Sequence, residues 1–260
     1  MKNTALITGA SSGIGKELAQ IHAEQGGDLV IVARSEEKLN ELKDELESRH
    51  GISVTVLVKD LAEAGAPKEI YDAVKAAGIE VDFLINNAGF GGQGKFHERD
   101  WQVDHAMIQL NVVALTALCR YFLPDMVARN SGRILNVSST ASLLPGPLQA
   151  VYFATKAFVT SFSNALAAEL HDTDVTVTAL LPGATETEFA SVSGMEKTNL
   201  FANMASARTV AEDGYNAMMA GKLEVITGIT FANKIMLGSI PFTPKKILLS
   251  QIRGMQEVKE

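Results

Sequence analysis

Apolar positions along the chain follow two alternating rhythms. Short apolar runs at Thr4–Thr8, Leu29–Ala33, Ile52–Val58, Val81–Ile85, Ile134–Val137 and Val175–Leu181 have the length and β-branched content of buried strands. Between them apolar residues recur three and four apart, the helical spacing. Leu18, Ala19, Ile21 and His22 mark the first such stretch, and Leu39, Leu42 and Leu46 the inward stripe of a charged helix over Glu36–Arg49. A further helix covers about Ala64–Ala77, and a long one runs from about Trp101 to Asn130 with Met107, Leu110, Ala114, Leu118 and Tyr121 on a broad apolar face. Another opens near Ala150. Strand and helix alternate as far as Leu181, which predicts a doubly wound α/β fold on a parallel sheet.

Composition narrows this picture. A chain of 260 residues with 47% hydrophobic content can bury one large core as a single unit. A net charge of -7, with no basic run longer than Lys245-Lys246, argues against nucleic acid as a partner. The single cysteine, Cys119, lies in an apolar helical stretch, which excludes an intrachain disulfide and fits a reducing compartment. His22, His50, His97, His105 and His171 show no ligand spacing, so no metal is assigned. The residues from Met1 lead straight into a strand, and no uninterrupted apolar stretch approaches about 20 residues. The expectation is a cytoplasmic protein without a signal peptide or transmembrane segment.

Candidate chemistry gathers at the carboxyl ends of the expected strands, where open α/β sheets bind ligands. The first strand runs into Gly9-Ala10-Ser11-Ser12-Gly13-Ile14-Gly15 and then a helix. In that context Gly9 allows a tight turn, Gly13 a close backbone approach to a pyrophosphate, and Gly15 close helix–strand packing. The second strand ends in Ala33-Arg34, where NAD-binding proteins tend to place an acid for the ribose 2′-OH. A guanidinium suits a 2′-phosphate and favours NADP(H) over NAD(H), although Arg34 could instead pair with Glu36 and Glu37. After the third strand, Asp60, next to Leu61, either accepts from an adenine amino group or caps the following helix. The fourth ends in Asn86-Asn87-Ala88-Gly89, small enough for a flat ring to approach. Another strand ends in Pro182-Gly183-Ala184-Thr185-Glu186-Thr187.

Ser138-Ser139 follow the strand Ile134–Val137, and Tyr152 and Lys156 stand four residues apart on the next helix, about 6 Å along one face. Tyrosine titrates near 10, and a neighbouring ammonium favours the phenolate, so the lysine is expected to lower that value. The serine hydroxyl can hold the same substrate oxygen. Asn111, within an apolar helix, is a polar group in want of partners. Read singly, it is more often a satisfied core amide, and Tyr-x-x-x-Lys alone is more often a half-buried helix face.

Taken together and in order, T-G-A-S-S-G-I-G at 8–15, N-N-A-G at 86–89, Asn111, Ser139, Y-F-A-T-K at 152–156 and P-G-A-T-E-T at 182–187 resemble the short-chain dehydrogenase/reductase family. The resemblance implies a single Rossmann domain with a seven-stranded parallel sheet, helices on both faces, and hydride transfer between a nicotinamide and a carbonyl or secondary alcohol. It implies Tyr152 as general acid/base, with Lys156 lowering its pKa and holding the nicotinamide ribose. Ser139, thirteen residues before the tyrosine, would orient the substrate oxygen, and Asn111 would hold a relay water. Thr185 and Thr187 would contact the carboxamide, with Asn87, Ala88 and Gly89 along the cofactor. Pro182, Gly183, Ser11, Ser12, Ile14, Asp60 and Leu61 complete the expected NADP(H) contacts with Arg34. A homodimer or homotetramer through the helices carrying Asn111 and Tyr152 is likewise implied.

Substrate choice falls to the loops 90–96, 142–149 and 188–207, where Leu143, Leu144, Leu148, Phe189, Met195, Leu200, Phe201 and Met204 could form an apolar lid over an apolar small-molecule substrate. Residues 1–228 are read as the catalytic domain and 229–260 as an extension. Its apolar residues Phe231, Ile235, Met236, Leu237 and Ile240 precede an amphipathic helix after Pro244 with Ile247, Leu248 and Ile252. Pocket cover or subunit contact is favoured for it over a membrane-surface role for Lys234, Lys245, Lys246 and Arg253. A general ketone reductase, a 3-oxoacyl thioester reductase and a non-catalytic nucleotide-binding scaffold remain as functions, the intact Ser139, Tyr152 and Lys156 weighing against the last.

Overall fold

A computed structural model describes residues 3–189, 204–240 and 243–256. Strands β1 (Thr4–Thr8), β2 (Asp28–Ala33), β3 (Val54–Val58), β4 (Phe83–Asn86), β5 (Gly132–Val137), β6 (Val175–Pro182) and β9 (Glu224–Thr227) form one sheet, all parallel, in the order β3-β2-β1-β4-β5-β6-β9. Two-residue strands β7 (Thr185–Glu186) and β8 (Ala205–Ser206) pair separately beside it. The order reverses direction between β1 and β4, which opens a crevice at the carboxyl ends of those strands.

Side-chain alternation explains why the strands read as continuous apolar runs. Ala5, Ile7, Leu29, Ile31, Phe83 and Ile85 join the core on one face, while Leu6, Val30, Val32 and Leu84 join that on the other. Helices α1 (Gly13–Glu24), α2 (Glu36–His50) and α7 (Ala207–Met219) cover the first face through Leu18, Leu39, Leu42, Leu46, Val210 and Met218. Helices α3 (Ala66–Ala76), α5 (Leu115–Ala128) and α6 (Ala150–Glu169) cover the second through Ile70, Val74, Leu118, Phe122 and Val159.

The long helix expected over 101–130 is not uniform. It comprises α4 (Trp101–Ile108), a π-helical turn over Gln109–Ala114, and α5. The run of 28 residues contains a window of 18 at a mean hydropathy of 1.5, so by length and composition alone it meets the criteria for a membrane span, against the expectation of no such segment. Its stripe of Met107, Leu118, Cys119, Phe122 and Met126 is buried within this fold, as a core helix requires. As expected of the asparagines ending β4, an amide ties neighbouring strand ends, and the chain of bonds runs on into α6: Asn86 Nδ2 donates to Asn136 Oδ1 (2.9 Å) and Asn136 Nδ2 to Ser163 Oγ (2.9 Å). These bonds tie β4, β5 and α6 together just beneath the crevice.

The chain after β9 forms α8 (Phe231–Ser239) and α9 (Lys245–Gln256). Leu248, Ile252 and Gln256 make the buried stripe of α9, whereas Ile247, expected on that stripe, is exposed. A shift of one residue on a helix moves a side chain by about 100°, enough to take it off a narrow face. The α9 terminus meets the 90–96 loop, where Gln93 Nε2 donates to the Gln256 carbonyl (2.5 Å). Met195, Leu200 and Phe201 lie outside the described residues, as do the side chains of Phe231 and Met236.

Candidate active site

A cleft of about 1340 Å³ lies along the carboxyl ends of the strands, from Arg34 at one end to Phe189 and Leu144 at the other. At its nucleotide end the turn after β1 is held by β4. Asn87 Nδ2 donates to the carbonyls of Thr8 (2.9 Å) and Gly9 (3.2 Å), and the Asn87 and Ala88 N–H groups both donate to Thr8 Oγ1 at 3.0 Å. Gly9 and Gly13 take φ of 67° and 54°, left-handed values that favour glycine. At Gly15 a Cβ would sit 2.3 Å from the Gly9 carbonyl oxygen, so α1 can start this close to β1 only with glycine there. Ser12 is the N-cap of α1 yet makes no side-chain cap bond, leaving that helix end to an anion.

Arg34 is 78% exposed and its nearest acid is Asp60, at 3.8 Å, rather than Glu36 or Glu37. Asp60 in turn accepts from the Ala62 N–H (2.9 Å), a local turn bond ahead of α3. Leu61 is buried yet reaches the cleft wall. Ser11, Ser12, Ile14, Ala88, Pro182, Gly183, Thr185 and Thr187 also line the cleft, and Thr187 packs where a Cβ on Gly13 would fall.

The two serines after β5 part company. Ser138 Oγ is buried and bonded to the Lys156 carbonyl (2.9 Å) and Thr160 Oγ1 (2.7 Å), which pins α6 to the sheet. Ser139 lines the cleft and hydrogen-bonds Tyr152. Lys156 Nζ donates to the Val137 carbonyl (2.9 Å) and lies 5.9 Å from the centre of the Tyr152 ring. Asn111 sits in the π turn and is fully paired across the cleft wall: Oδ1 accepts from the Phe90 N–H (3.1 Å), and Nδ2 donates to the Phe90 carbonyl (3.0 Å) and Thr155 Oγ1 (3.1 Å). Gly89 lets these groups crowd together, since a Cβ there would meet Asn111 Oδ1 at 3.0 Å and Lys156 Nζ at 3.4 Å.

Electrostatics correct one expectation. Burial pushes the Tyr152 phenol up to about 12, with the Ser139 hydrogen bond opposing it, and pushes the Lys156 ammonium down to about 8. Lysine does not hold the tyrosine below its ordinary value; both groups lie inside the protein, where desolvation favours the neutral form of each. At neutral pH the pair is therefore a protonated phenol beside an ammonium: the proton is in place, but burial makes the phenol a weaker acid than free tyrosine.

Phe189 was legible only as one of many apolar loop residues. Its ring lies 5.3 Å from that of Tyr152, and Gly91 faces both, its Cβ position 2.7 Å from Phe189 Cζ. The tail also enters the cleft wall, through Asn233, Lys234 and Leu237 of α8.

The short chain dehydrogenase family model matches residues 3–198, and the chain belongs to that family, the short-chain dehydrogenases/reductases. Among relatives, it is 38% identical over 192 residues to the NADP-dependent 3-hydroxy acid dehydrogenase YdfG of Escherichia coli, covering 72% of this chain and 75% of that one. It is 34% identical over 196 residues to the very-long-chain 3-oxoacyl-CoA reductase of Anas platyrhynchos, covering 73% of this chain but only 62% of that reductase. A short-chain dehydrogenase from Sphingobium yanoikuyae, solved in complex with NADPH, superposes with a TM-score of 0.83 at 30% identity over 99% of both chains.

Proposed function

We propose that the protein is an NADPH-preferring carbonyl reductase in which Tyr152 is the general acid. The observation that carries this reading is the meeting of Ser139 and Lys156 on a buried, protonated Tyr152 within the same cleft as the glycine turn. The residues present fit a dinucleotide. An uncapped α1 N-terminus and the bare turn at Gly9 and Gly13 suit the pyrophosphate, and Arg34 suits a 2′-phosphate. Asp60 and Leu61 would border the adenine, with Asn87, Ala88, Gly89, Pro182, Gly183, Thr185 and Thr187 along the nicotinamide half. Bound NADPH supplies the hydride. Ser139 holds the substrate carbonyl oxygen, and Tyr152 donates its proton to that oxygen as negative charge develops there. Lys156 keeps a positive charge beside the phenol, which stabilises the tyrosinate left behind. Asn111 braces the Phe90 backbone and so fixes the wall of the pocket.

Phe189, Leu144 and Phe90 around Tyr152 favour an apolar substrate. The names of the relatives, a 3-hydroxy acid dehydrogenase and a 3-oxoacyl-CoA reductase, support a 3-oxoacyl compound as the second reading. Residues 229–256 are assigned to the same catalytic unit as pocket cover, since α8 lines the cleft and α9 touches the 90–96 loop. A cytoplasmic homo-oligomer joined across α5 and α6 belongs to the same proposal. Val113 and Phe158, 46% and 40% exposed, are apolar residues such a contact would cover, and light scattering on the purified protein checks it.

Titration with NADPH and NADH, followed by nicotinamide fluorescence and then a ketone screen, tests the reading. NADPH is expected to bind more tightly, and Arg34→Ala to erase most of that preference by weakening NADPH about 10- to 100-fold while sparing NADH. Equal binding of the two nucleotides would overturn the NADPH assignment. Failure to bind either would return the scaffold reading.

A further inference from the structure

Residues 91–94 read Gly-Gly-Gln-Gly, and glycine loses more conformational freedom on ordering than any other residue. The stretch nevertheless packs against the reacting group. A Cβ on Gly91 would sit 2.7 Å from Phe189 Cζ and 3.3 Å from Tyr152 Cδ2. A glycine-rich wall of this kind needs anchors from outside itself, and Arg99 supplies the central one. Arg99 follows the short 3-10 turn Phe96–Glu98, and its side chain is 13% exposed. Its Nε (2.9 Å) and Nη2 (2.6 Å) donate to Oδ1 of Asp104, a buried carboxylate on α4, and its Nη1 donates to the Gln93 carbonyl (2.7 Å). The guanidinium takes the place of a side chain at Gly92, where a Cβ would meet Nη2 at 2.3 Å and Nη1 at 2.8 Å. The same loop is tied on either side of Arg99. The Gly94 N–H donates to the Leu148 carbonyl (2.8 Å) just before α6, and Gln93 Nε2 to the Gln256 carbonyl at the end of α9.

We infer, on the carbonyl-reductase reading above, that Arg99 is a positioning residue for ketone reduction. Clamped by Asp104, it sets the 91–94 loop, and the loop sets the wall beside Tyr152 and Phe189 and seats the end of α9. Arg99 does not itself line the cleft. Asp104 stands one turn before Met107, which packs in the buried cluster with Tyr152 and Phe153, so the clamp is mounted on the helix that backs the phenol. A buried ion pair is a poor source of net stability, because desolvation offsets the attraction. What this one secures is geometry: a forked guanidinium meets a carboxylate and a carbonyl at once, which the point charge of a lysine does not.

The test uses the whole chain with NADPH and nonan-4-one. Arg99→Met alone strands the Asp104 carboxylate and is expected to lower the Tm. Adding Asp104→Leu removes the second charge and is expected to bring the Tm back to within about 3 °C of the wild type. The KM of this double variant for the ketone is still expected to rise about 5- to 20-fold, with kcat within about threefold, since the wall binds ground and transition states alike. Its NADPH affinity should stay within about threefold, the nucleotide end being held by other bonds. Arg99→Lys, which keeps the charge pair without the fork, is expected to hold the Tm and recover only part of the KM. Hydrogen exchange at the Gly94 amide and along α9 is expected to quicken at least about fivefold in the double variant, with β1 unchanged. A KM that returns to the wild-type value when the Tm does marks a purely structural pair and overturns the inference, and so does unchanged exchange at Gly94 and α9. If the wild type binds NADPH but reduces no ketone, the carbonyl-reductase reading fails and the KM effect falls with it, while the exchange rates still decide whether Arg99 holds the loop and the tail.

Discussion

The two ends of the cleft are built on different principles. At the nucleotide end short side chains hold backbone: Thr8 Oγ1 and Asn87 Nδ2 make four hydrogen bonds to backbone groups of Thr8, Gly9, Asn87 and Ala88, tying the turn after β1 to that after β4, and the glycines lie where side chains would collide. At the substrate end the groups on α6 and just before it are left wanting: Gln149 has no hydrogen-bond partner among the described residues, the Leu148 backbone is strained, and Tyr152 and Lys156 are both displaced by burial from their ordinary pKa values. A ligand common to a whole family can be held by a rigid scaffold. One that varies must be met by groups whose cost is recovered only when it binds.

The sharpest way to separate the ends is to remove the reacting hydroxyl alone. Tyr152→Phe is expected to lower kcat for ketone reduction by about 10²- to 10⁴-fold, the range for loss of a general acid. Because the ring and its contact with Phe189 remain, NADPH affinity is expected to change less than about threefold. A variant that lost nucleotide binding to the same degree would show that the ends are not independent.

Gly15→Ala attacks the other end. Its Cβ would fall 2.3 Å from the Gly9 carbonyl, which is backbone, and 2.4 Å from Asn87 Nδ2, a side-chain amide held by two hydrogen bonds, so α1 or the turn must move. We expect a stability loss of about 1–3 kcal/mol by thermal melting, together with at least tenfold weaker NADPH binding. Retention of both would mean that the turn is more pliable than its bonding indicates.

These contrasts explain what could be read from sequence. The alternation of strands and helices and the glycine turn follow from local periodicity and from glycines whose need is set by nearby backbone, and they were legible; the seven-stranded parallel sheet came from the family resemblance, and its strand order from the structure. So was the choice of Ser139 over Ser138, although its reason, the engagement of Ser138 with α6, needed the structure. The π turn around Asn111 was not legible, because its residues read as ordinary helix and only the pairing to Phe90 and Thr155 shows why the ladder opens there. The sign of the Tyr152 effect was misjudged for a related reason: spacing reveals the neighbouring ammonium but not how completely both groups are removed from water. Gln149 gave no signal at all, since an orphaned amide is a property of the surroundings.

A smaller effect comes from pH. Lys156, lowered by burial from an ordinary 10.5 to about 8, is expected to lose its charge as pH rises past 8, while Tyr152 stays protonated to about 12. Reductive kcat/KM should then be level through neutrality and fall above about pH 8, by no more than tenfold per pH unit. Stability linked to this lysine moves the other way. Its folded pKa lies below the unfolded one, so the cost of the buried ammonium is fully present below about 8 and is relieved as pH rises toward 10.5. Activity that fell in step with the Tm would point to unfolding instead.

The smallest expected effect lies where the two ends touch. Lys38, in the first turn of α2, meets Glu188 of the segment after β6 at 2.7 Å, and both line the cleft. Side chains 46% and 59% exposed make this a surface pair screened by solvent, so Glu188→Gln should leave the Tm unchanged within about 2 °C. The carboxylate nevertheless stands next to Ser12, in the turn proposed to receive the pyrophosphate, where it repels an anion and occupies a lysine. Its removal is expected to tighten NADPH about twofold to threefold at low salt, with the gain fading at 0.5 M salt as the Debye length shrinks to a few ångströms. Isothermal titration at the two ionic strengths measures both parts. Weaker NADPH binding in this variant would instead mean that Glu188 contributes a hydrogen bond to the nucleotide end, and that the two ends are joined by more than proximity.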